Sequence, residues 1–269
     1  MNDIRPLAVV TGASSGIGFE LARQLAERGF DLVINAEDHE RLRRAAQHIE
    51  RTGVTVRAVQ ADLREYEEAE RFYAAVTATR RPVAVAVLNA GVGQGGRFVE
   101  GDLADQLEIV DLNVRSTVHL AQRFLRDMVA AEEGYLLVTS SIASTMPGSF
   151  QAVYNASKSF LQSFAQALQN ELKDTGVSVT ALMPGPTETD FFRRADMGDT
   201  EVARQPKDDA AQVARQGLDA LFAGRDKVVA GSLKTKVQGL ANKVLPDRVK
   251  AEMHRKMAEP GSRGSASNR

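Results

Sequence analysis

The sequence predicts an α/β fold: a doubly wound parallel sheet of about seven strands with helices on both faces. Three observations carry this. Short runs rich in Val, Ile and Leu alternate with segments of helical period along most of the 269 residues. The runs are nearly continuous in apolar character, as in Val83-Ala84-Val85-Ala86-Val87-Leu88, which suits strands buried on both faces. The first run, 7–10, enters a turn with glycines at 12, 16 and 18, and a helical pattern of Phe19, Leu21, Ala22 and Leu25 follows at once.

In chain order, strands are expected at 7–10, 31–35, 55–60, 83–89, 135–140, 178–183 and 227–230. Helices are expected between them at about 16–28, 38–52, 65–79, 103–131, 152–174 and 208–223. Right-handed crossovers then wind the helices onto both faces. Residues 1–232 form the main unit, 233–258 a helical extension of the same domain, and the small, polar tail 259–269 is expected to be disordered.

Composition narrows the class. The chain is 43% hydrophobic and 26% charged, enough for one large core. A net charge of −1 gives no bias toward nucleic acid. There is no Cys, which removes disulfides, thiol catalysis and thiolate metal sites. The histidines at 39, 48, 119 and 254 show no metal-ligand spacing, so no metal is expected. His119 is expected on a core-side or subunit-contact face, and none of the four is given a role. The first residues reach a strand at once, and no apolar run approaches the roughly 18 residues of a membrane span. The expectation is a cytoplasmic protein.

Ligands of doubly wound sheets sit beyond the carboxyl ends of the strands. The residues found there are unusual: Gly12, Ser14, Ser15, Gly16, Ile17 and Gly18 after the first run, then Asp62 and Leu63, then Asn89, Ala90 and Gly91, then Ser140 and Ser141, then Pro184, Gly185, Thr187 and Thr189. A Gly-rich turn leading into a helix lets backbone N–H groups approach a pyrophosphate. Tyr154 and Lys158 stand four apart on a helix and share a face. A Lys⁺ beside a phenol favours the phenolate, but a shift from about 10 to about 7 requires roughly 4 kcal/mol, more than one lysine supplies. Plainer readings exist: Tyr154 as a half-buried helix residue, Asp62 as a helix cap, Ser140 and Ser141 as an ordinary turn.

These motifs together resemble the short-chain dehydrogenase/reductase family in its single-domain branch. The likeness covers residues 5–232 and rests on Thr11-Gly-Ala-Ser-Ser-Gly-Ile-Gly18, Asp62, Asn89-Ala-Gly91, Asn113, Ser141, Tyr154-x-x-x-Lys158 and Pro184-Gly185. It implies a Rossmann-like fold and an NAD(P)-dependent oxidoreductase acting on a secondary alcohol or ketone. Tyr154 would be the general acid/base, and Lys158 would lower its pKa and bond the nicotinamide ribose, with a bound nicotinamide cation helping. Ser141, 13 residues before Tyr154, would hold the substrate oxygen, and Asn113 would anchor a water in a proton relay. Gly12, Ser14 and Ile17 would line the phosphates and ribose, and Asp62 and Leu63 the adenine. Asn89 and Gly91 would pack along the adenosine. Thr189 would bond the carboxamide or phosphates, with Thr187 contributing mainly backbone. Relatives suggest a homodimer or homotetramer through the helices at 103–131 and 152–174. The alternative function is a non-catalytic NAD(P)-binding sensor or scaffold on the same fold.

Cofactor choice turns on Ala36-Glu37-Asp38 at the end of the second strand. A carboxylate there accepts the ribose hydroxyls and repels a 2′-phosphate. With Ser15 neutral, NAD is expected and NADP is the alternative. The acid stands one position beyond its usual place, and Glu37 and Asp38 also suit the start of the next helix. The substrate cleft is expected from 142–150 and 191–197, including Ala143, Met146, Phe150, Phe191 and Phe192, which suggests a moderately apolar substrate. Residues 225–269 hold 11 Lys and Arg against 4 Asp and Glu. Val237, Leu240, Ala241, Val244 and Leu245, then Val249, Met253 and Met257, fall at helical spacing. A cover over the cleft or a subunit contact is the preferred reading, and a membrane contact stays open.

Overall fold

A computed structural model describes residues 5–242 and 245–260. The strands are β1 (Leu7–Thr11), β2 (Asp31–Ala36), β3 (Val56–Gln60), β4 (Val83–Leu88), β5 (Gly134–Thr139), β6 (Val177–Pro184) and β7 (Lys227–Ala230). The helices are α1 (Gly16–Glu27), α2 (His39–Glu50), α3 (Tyr66–Thr77), α4 (Leu103–Ile109), α5 (Ser116–Ala130), α6 (Ala152–Glu171), α7 (Phe191–Arg194), α8 (Glu201–Arg204), α9 (Ala210–Phe222), α10 (Leu233–Ala241) and α11 (Asp247–Ala258). The seven strands form one sheet in the order β3-β2-β1-β4-β5-β6-β7, and every neighbouring pair is parallel. The expected doubly wound α/β fold is therefore what the chain adopts.

Alternate residues of each strand feed two cores. Val10 and Ile34 pack with Leu21, Leu25, Leu42 and Leu218 under α1, α2 and α9. Val9, Val33 and Leu136 pack with Phe72, Phe124 and Leu161 under α3, α5 and α6. A third, smaller cluster joins Ala195, Met197 and Ala258 with Phe150, Phe191, Phe192 and Val202.

The strand order reverses between β1 and β4, so a crevice opens at their carboxyl ends. Buried polar side chains close the backbone there. The Thr11 hydroxyl accepts the N–H groups of Asn89 (2.9 Å) and Ala90 (3.1 Å). The Asn89 amide donates to the Thr11 carbonyl (3.2 Å), and the Thr139 hydroxyl donates to Asn89 Oδ1 (3.2 Å).

Two expectations need correction. The helix at 103–131 is interrupted: Val110–Arg115 forms a π turn between α4 and α5. Asn113, in that turn, is held by both backbone groups of Val92, a tertiary demand the helical pattern does not reveal. On the C-terminal helices the apolar spacing marks the inward face only in part: Met257 lines the cleft, and the side chains of Leu240 and Ala241 lie outside the described residues. Val237, Val249 and Met253 are exposed, while Thr235, His254 and Ala258 are buried. Val244 and the tail residues 261–269 lie outside the described residues. Among the described residues, no helix is long and apolar enough to cross a membrane.

Thr11→Val keeps the shape of the side chain and leaves two N–H groups without their acceptor. The expected loss is about 2–3 kcal/mol, read as a lower urea midpoint with an unchanged m-value.

Candidate active site

At the head of the crevice, β1 passes into α1 through the Gly-rich turn. Gly12 has φ +66, a left-handed conformation that favours glycine. A Cβ on Gly18 would lie 2.2 Å from the Gly12 carbonyl oxygen, so helix and turn touch only because that atom is absent. No side chain caps the start of α1, and its first turn carries no acid. The N-terminal N–H groups of this helix are thus suited to an anion. Ser14, Ser15, Gly16 and Ile17 line the crevice with it, and the Thr189 methyl group sits against Gly16.

The far wall comes from the ends of β2 and β3. Asn35 is buried and donates to the carbonyls of Val59 and Ala61 (both 3.1 Å), tying these two ends together. Glu37, Asp62 and Leu63 face the crevice. Asp38 does not, because its carboxylate caps α2 through the Arg41 N–H (2.9 Å). The helix-start reading therefore holds for Asp38 and leaves Glu37 as the acid of this pair that lines the crevice. Asp62 is not the cap of α3, whose N-cap position is Glu65. Its carboxylate is bound by the Arg64 guanidinium (2.8 Å), which also reaches Glu37 (2.9 Å) and Glu108 (2.7 Å). Arg64 holds the Asp62 carboxyl below the usual range. The expectation of NAD places no cation at Glu37 itself and leaves Arg41, or a cation from the loop after Asp62, as what would hold a 2′-phosphate instead. Arg64 is the cation of that loop, and it is bound to Glu37 across the sheet.

The catalytic corner lies between β5 and α6. The Ser141 hydroxyl, which accepts the Ala143 N–H (3.1 Å), lies beside the Tyr154 phenol and acts to lower its pKa. Ser140, its neighbour, turns away and donates to the Lys158 carbonyl (2.7 Å). Lys158 is 4% exposed, and its ammonium donates to the Thr139 carbonyl (3.0 Å), 5.8 Å from the Tyr154 ring centre. Burial pushes the lysine down to about 8. Burial also pushes the Tyr154 phenol up to about 12, opposed only by the Ser141 hydroxyl. The expected lowering of the phenol by Lys158 is not produced by the protein's own groups. Asn113 is fully buried behind this corner and does not line the crevice. Its amide is spent on Val92 and on the Ser157 hydroxyl (3.0 Å). Gly91 separates it from the cleft: a Cβ there would meet Asn113 Oδ1 at 3.1 Å and Lys158 Nζ at 3.2 Å. Asn89 and Ala90 line the floor, with Pro184, Gly185 and Thr187 opposite. The Thr187 hydroxyl is turned back onto the Gly185 carbonyl (2.9 Å).

Beyond Tyr154 the cleft is walled by Ala143, Met146, Phe191 and Phe192, as expected. Phe150 and Met197 are not in the wall; they pack in the small cluster behind it. Gln151, Gln238 and His254 line the cleft and were not anticipated. Gln238 and His254 arrive from α10 and α11, so these helices cover the cleft. The His119 ring is half-buried between helices, bonded to Glu70 and stacked on Tyr66 (4.7 Å). Among the described residues no group of His, Cys, Asp or Glu could hold a metal ion.

A Gly-rich turn at the sheet reversal and a Ser–Tyr–Lys corner beside it form one continuous crevice. Residues 6–199 match the family model described as short chain dehydrogenase. The chain belongs to the short-chain dehydrogenase family. As a member it is an oxidoreductase that uses a nicotinamide cofactor on a CH–OH group. An uncharacterised oxidoreductase of Staphylococcus saprophyticus is 30% identical over 216 residues, 80% of this chain and 90% of that one. A short-chain dehydrogenase from Sphingobium yanoikuyae, solved with NADPH, is 27% identical with a TM-score of 0.77, covering 90% of this chain and 96% of that one. A family member from Burkholderia phymatum, solved with NAD, shares the fold with a TM-score of 0.82 at 23% identity, covering 97% and 99%. The crevice of this short-chain dehydrogenase fits a dinucleotide on its own geometry, since the N-terminus of α1 is uncapped and the turn that leads into it packs too closely on Ala90 and Asn89 to admit a Cβ at Gly12 or Gly18.

The buried lysine leaves a signature in stability. Its folded pKa of about 8 lies below the ordinary lysine value of 10.5. Below pH 8 the folded state carries the full cost of burying the ammonium. Between 8 and 10.5 the unfolded chain holds a proton that the folded chain releases, so stability rises with pH. Relative to Lys158→Met, the enzyme is expected to gain up to about 3 kcal/mol across that window, read by urea unfolding at pH 7.5 and 10.

Proposed function

We propose that this enzyme transfers a hydride between NAD and a secondary alcohol or ketone, with Tyr154 as general acid/base. The observation that carries the reading is the convergence of the Ser141 hydroxyl, the Tyr154 phenol and the buried ammonium of Lys158 in one cleft. The Ser141 hydroxyl bonds the substrate oxygen and aligns it with the phenol. In reduction the phenol gives that oxygen its proton, and in oxidation it takes the proton back. A phenol held near 12 keeps its proton through neutral pH, which suits the donor role and makes oxidation speed up as pH rises. Lys158, held mostly protonated at neutral pH, places its ammonium beside the phenol and reaches toward the ribose. Asn113 acts by position, holding the loop at Val92 that carries Gly91 past the lysine. Gly12, Ser14, Ser15, Gly16, Ile17 and Gly18 hold the pyrophosphate, with Thr189 over it. Asp62, Leu63, Asn89, Ala90 and Gly91 hold the adenosine, and Pro184, Gly185 and Thr187 the nicotinamide end. A bound nicotinamide supplies or accepts the hydride.

A homo-oligomer is supported by the apolar side chains of Leu103, Leu107, Val110 and Phe160, which are exposed along α4, the π turn and α6.

Tyr154→Phe keeps the ring and removes the proton. Turnover is expected to fall at least ~100-fold while cofactor binding survives, measured by steady-state kinetics and by cofactor titration. Near-normal turnover in that variant rejects the assignment, and an intact protein that binds cofactor with no turnover favours the sensor alternative.

The preference for NAD rests on this chain's own charges, because similar structures carry either cofactor. Arg64 is already shared among three carboxylates, and Arg41 between Asp38 and Asp190 (both 3.4 Å). A 2′-phosphate at Glu37 would compete with these acids for the same cations. Glu37→Arg removes one of them and adds a cation. It is expected to shift kcat/KM toward NADP by roughly ten- to a hundredfold. A wild-type enzyme that prefers NADP overturns this.

A further inference from the structure

His254 is 6% exposed, although it lies on a basic helix near the end of the described chain. Its ring lines the same cleft as Tyr154 and Ser141. Nδ1 is 2.9 Å from the Ser149 carbonyl oxygen. A carbonyl only accepts, so Nδ1 carries the hydrogen. Burial pushes the ring pKa down, which keeps the imidazole neutral at neutral pH. In that form Nε2 is a bare acceptor, and among the described residues no protein group bonds it.

The loop that accepts from His254 is the segment joining Ser141 to Tyr154. It is held to the C-terminal helices at several other points. The Ser149 hydroxyl donates to the Ala251 carbonyl (3.2 Å), Lys250 to the Thr145 carbonyl (3.1 Å), and Asn242 to the Thr145 hydroxyl (2.8 Å). His254 is therefore not needed to keep α11 in place. Gln151, two residues beyond Ser149, is 7% exposed and lines the same cleft with its amide free of protein partners among the described residues. This end of the cleft is polar behind an apolar wall.

We propose that His254 is a specificity residue that accepts a hydrogen bond from a hydroxyl on the substrate, away from its reacting carbon. The substrate class is then a hydroxyketone, or the matching diol, on a largely apolar skeleton. This deepens the oxidoreductase reading above and rests on it. A bare acceptor on a largely buried ring favours a donor, because a substrate that displaces water from the cleft without replacing its hydrogen bond leaves Nε2 unpaired.

The test compares plain alkanones with the same chains carrying one hydroxyl at successive carbons from the carbonyl. In the wild type, one hydroxyl position is expected to lower KM by about ten- to a hundredfold. In His254→Phe that gain falls to within about twofold, while kcat on the plain alkanone is unchanged. The proposal is overturned if no hydroxyl position is favoured or the gain survives in His254→Phe. It is also overturned if kcat falls alike on both substrates, or if a chain ending in a carboxylate is preferred and read by Arg194 at the mouth. A second measurement needs neither turnover nor a folded variant. Ring ¹⁵N shifts of histidine-labelled wild type are expected to show one imidazole with Nδ1–H and bare Nε2. Its Nε2 signal should move on adding the hydroxyalkanone and not the plain chain. An Nε2–H tautomer, or no response, overturns the proposal. A response without turnover of any compound rejects the oxidoreductase reading and leaves the binding role of His254 standing.

Discussion

The crevice depends on one joint: the polar side chains that close the backbone where the strand order reverses. A parallel sheet that changes direction between β1 and β4 leaves N–H and C=O groups without a neighbouring strand. Thr11, Asn89 and Thr139 fill that gap in sequence, and the Thr139 carbonyl then receives Lys158. Thr11, Thr139 and Lys158 are buried and Asn89 is half-buried, and a buried polar group left unpaired costs about 1–3 kcal/mol. The joint that makes the fold possible at this point also fixes where the ammonium sits. Structure and chemistry are thus held by one chain of hydrogen bonds from β1 to α6.

Electrostatics divides the crevice into two ends. At the ribose end, carboxylates outnumber the guanidinium groups they share, and the side chains are largely solvated. At the catalytic end, burial governs: it raises the phenol and lowers the amine, bringing the two groups' proton affinities toward the opposite of their usual order. Neither Ser141 nor Lys158 alone restores a neutral-pH phenolate. The bound cation of an oxidised cofactor would act on the same phenol, which links cofactor state to proton transfer.

Much of the fold could be read from the sequence because β-strands buried on both faces leave continuous apolar runs. The strands and their long helices fall close to their expected positions for that reason. The π turn at Asn113 could not be read, since its cause is a contact with Val92 in another element. The loop after Asp62 could be named as a source of a cation, but not that its Arg64 is shared among Glu37, Asp62 and Glu108, which come from three separate segments. On α11, the pattern Val249, Met253, Met257 is one position out of phase with the face that packs, Lys250, His254 and Ala258. Periodicity finds the most apolar stripe, but here the inward stripe is partly polar because it meets a loop with free carbonyls.

The sequence by itself determined the sheet, the Gly-rich turn and the Tyr154–Lys158 pair, because each is local. Glycines set a backbone conformation in place, and an i, i+4 spacing puts two side chains on one helical face. The tertiary structure alone decided that Asp38 caps α2 while Glu37 lines the crevice, which carboxylates share Arg64, and how far burial moves the phenol and the amine. It also brought His254 across about a hundred residues of chain to the Ser149 carbonyl. These are matters of distance and desolvation between segments remote in sequence, and only packing sets them.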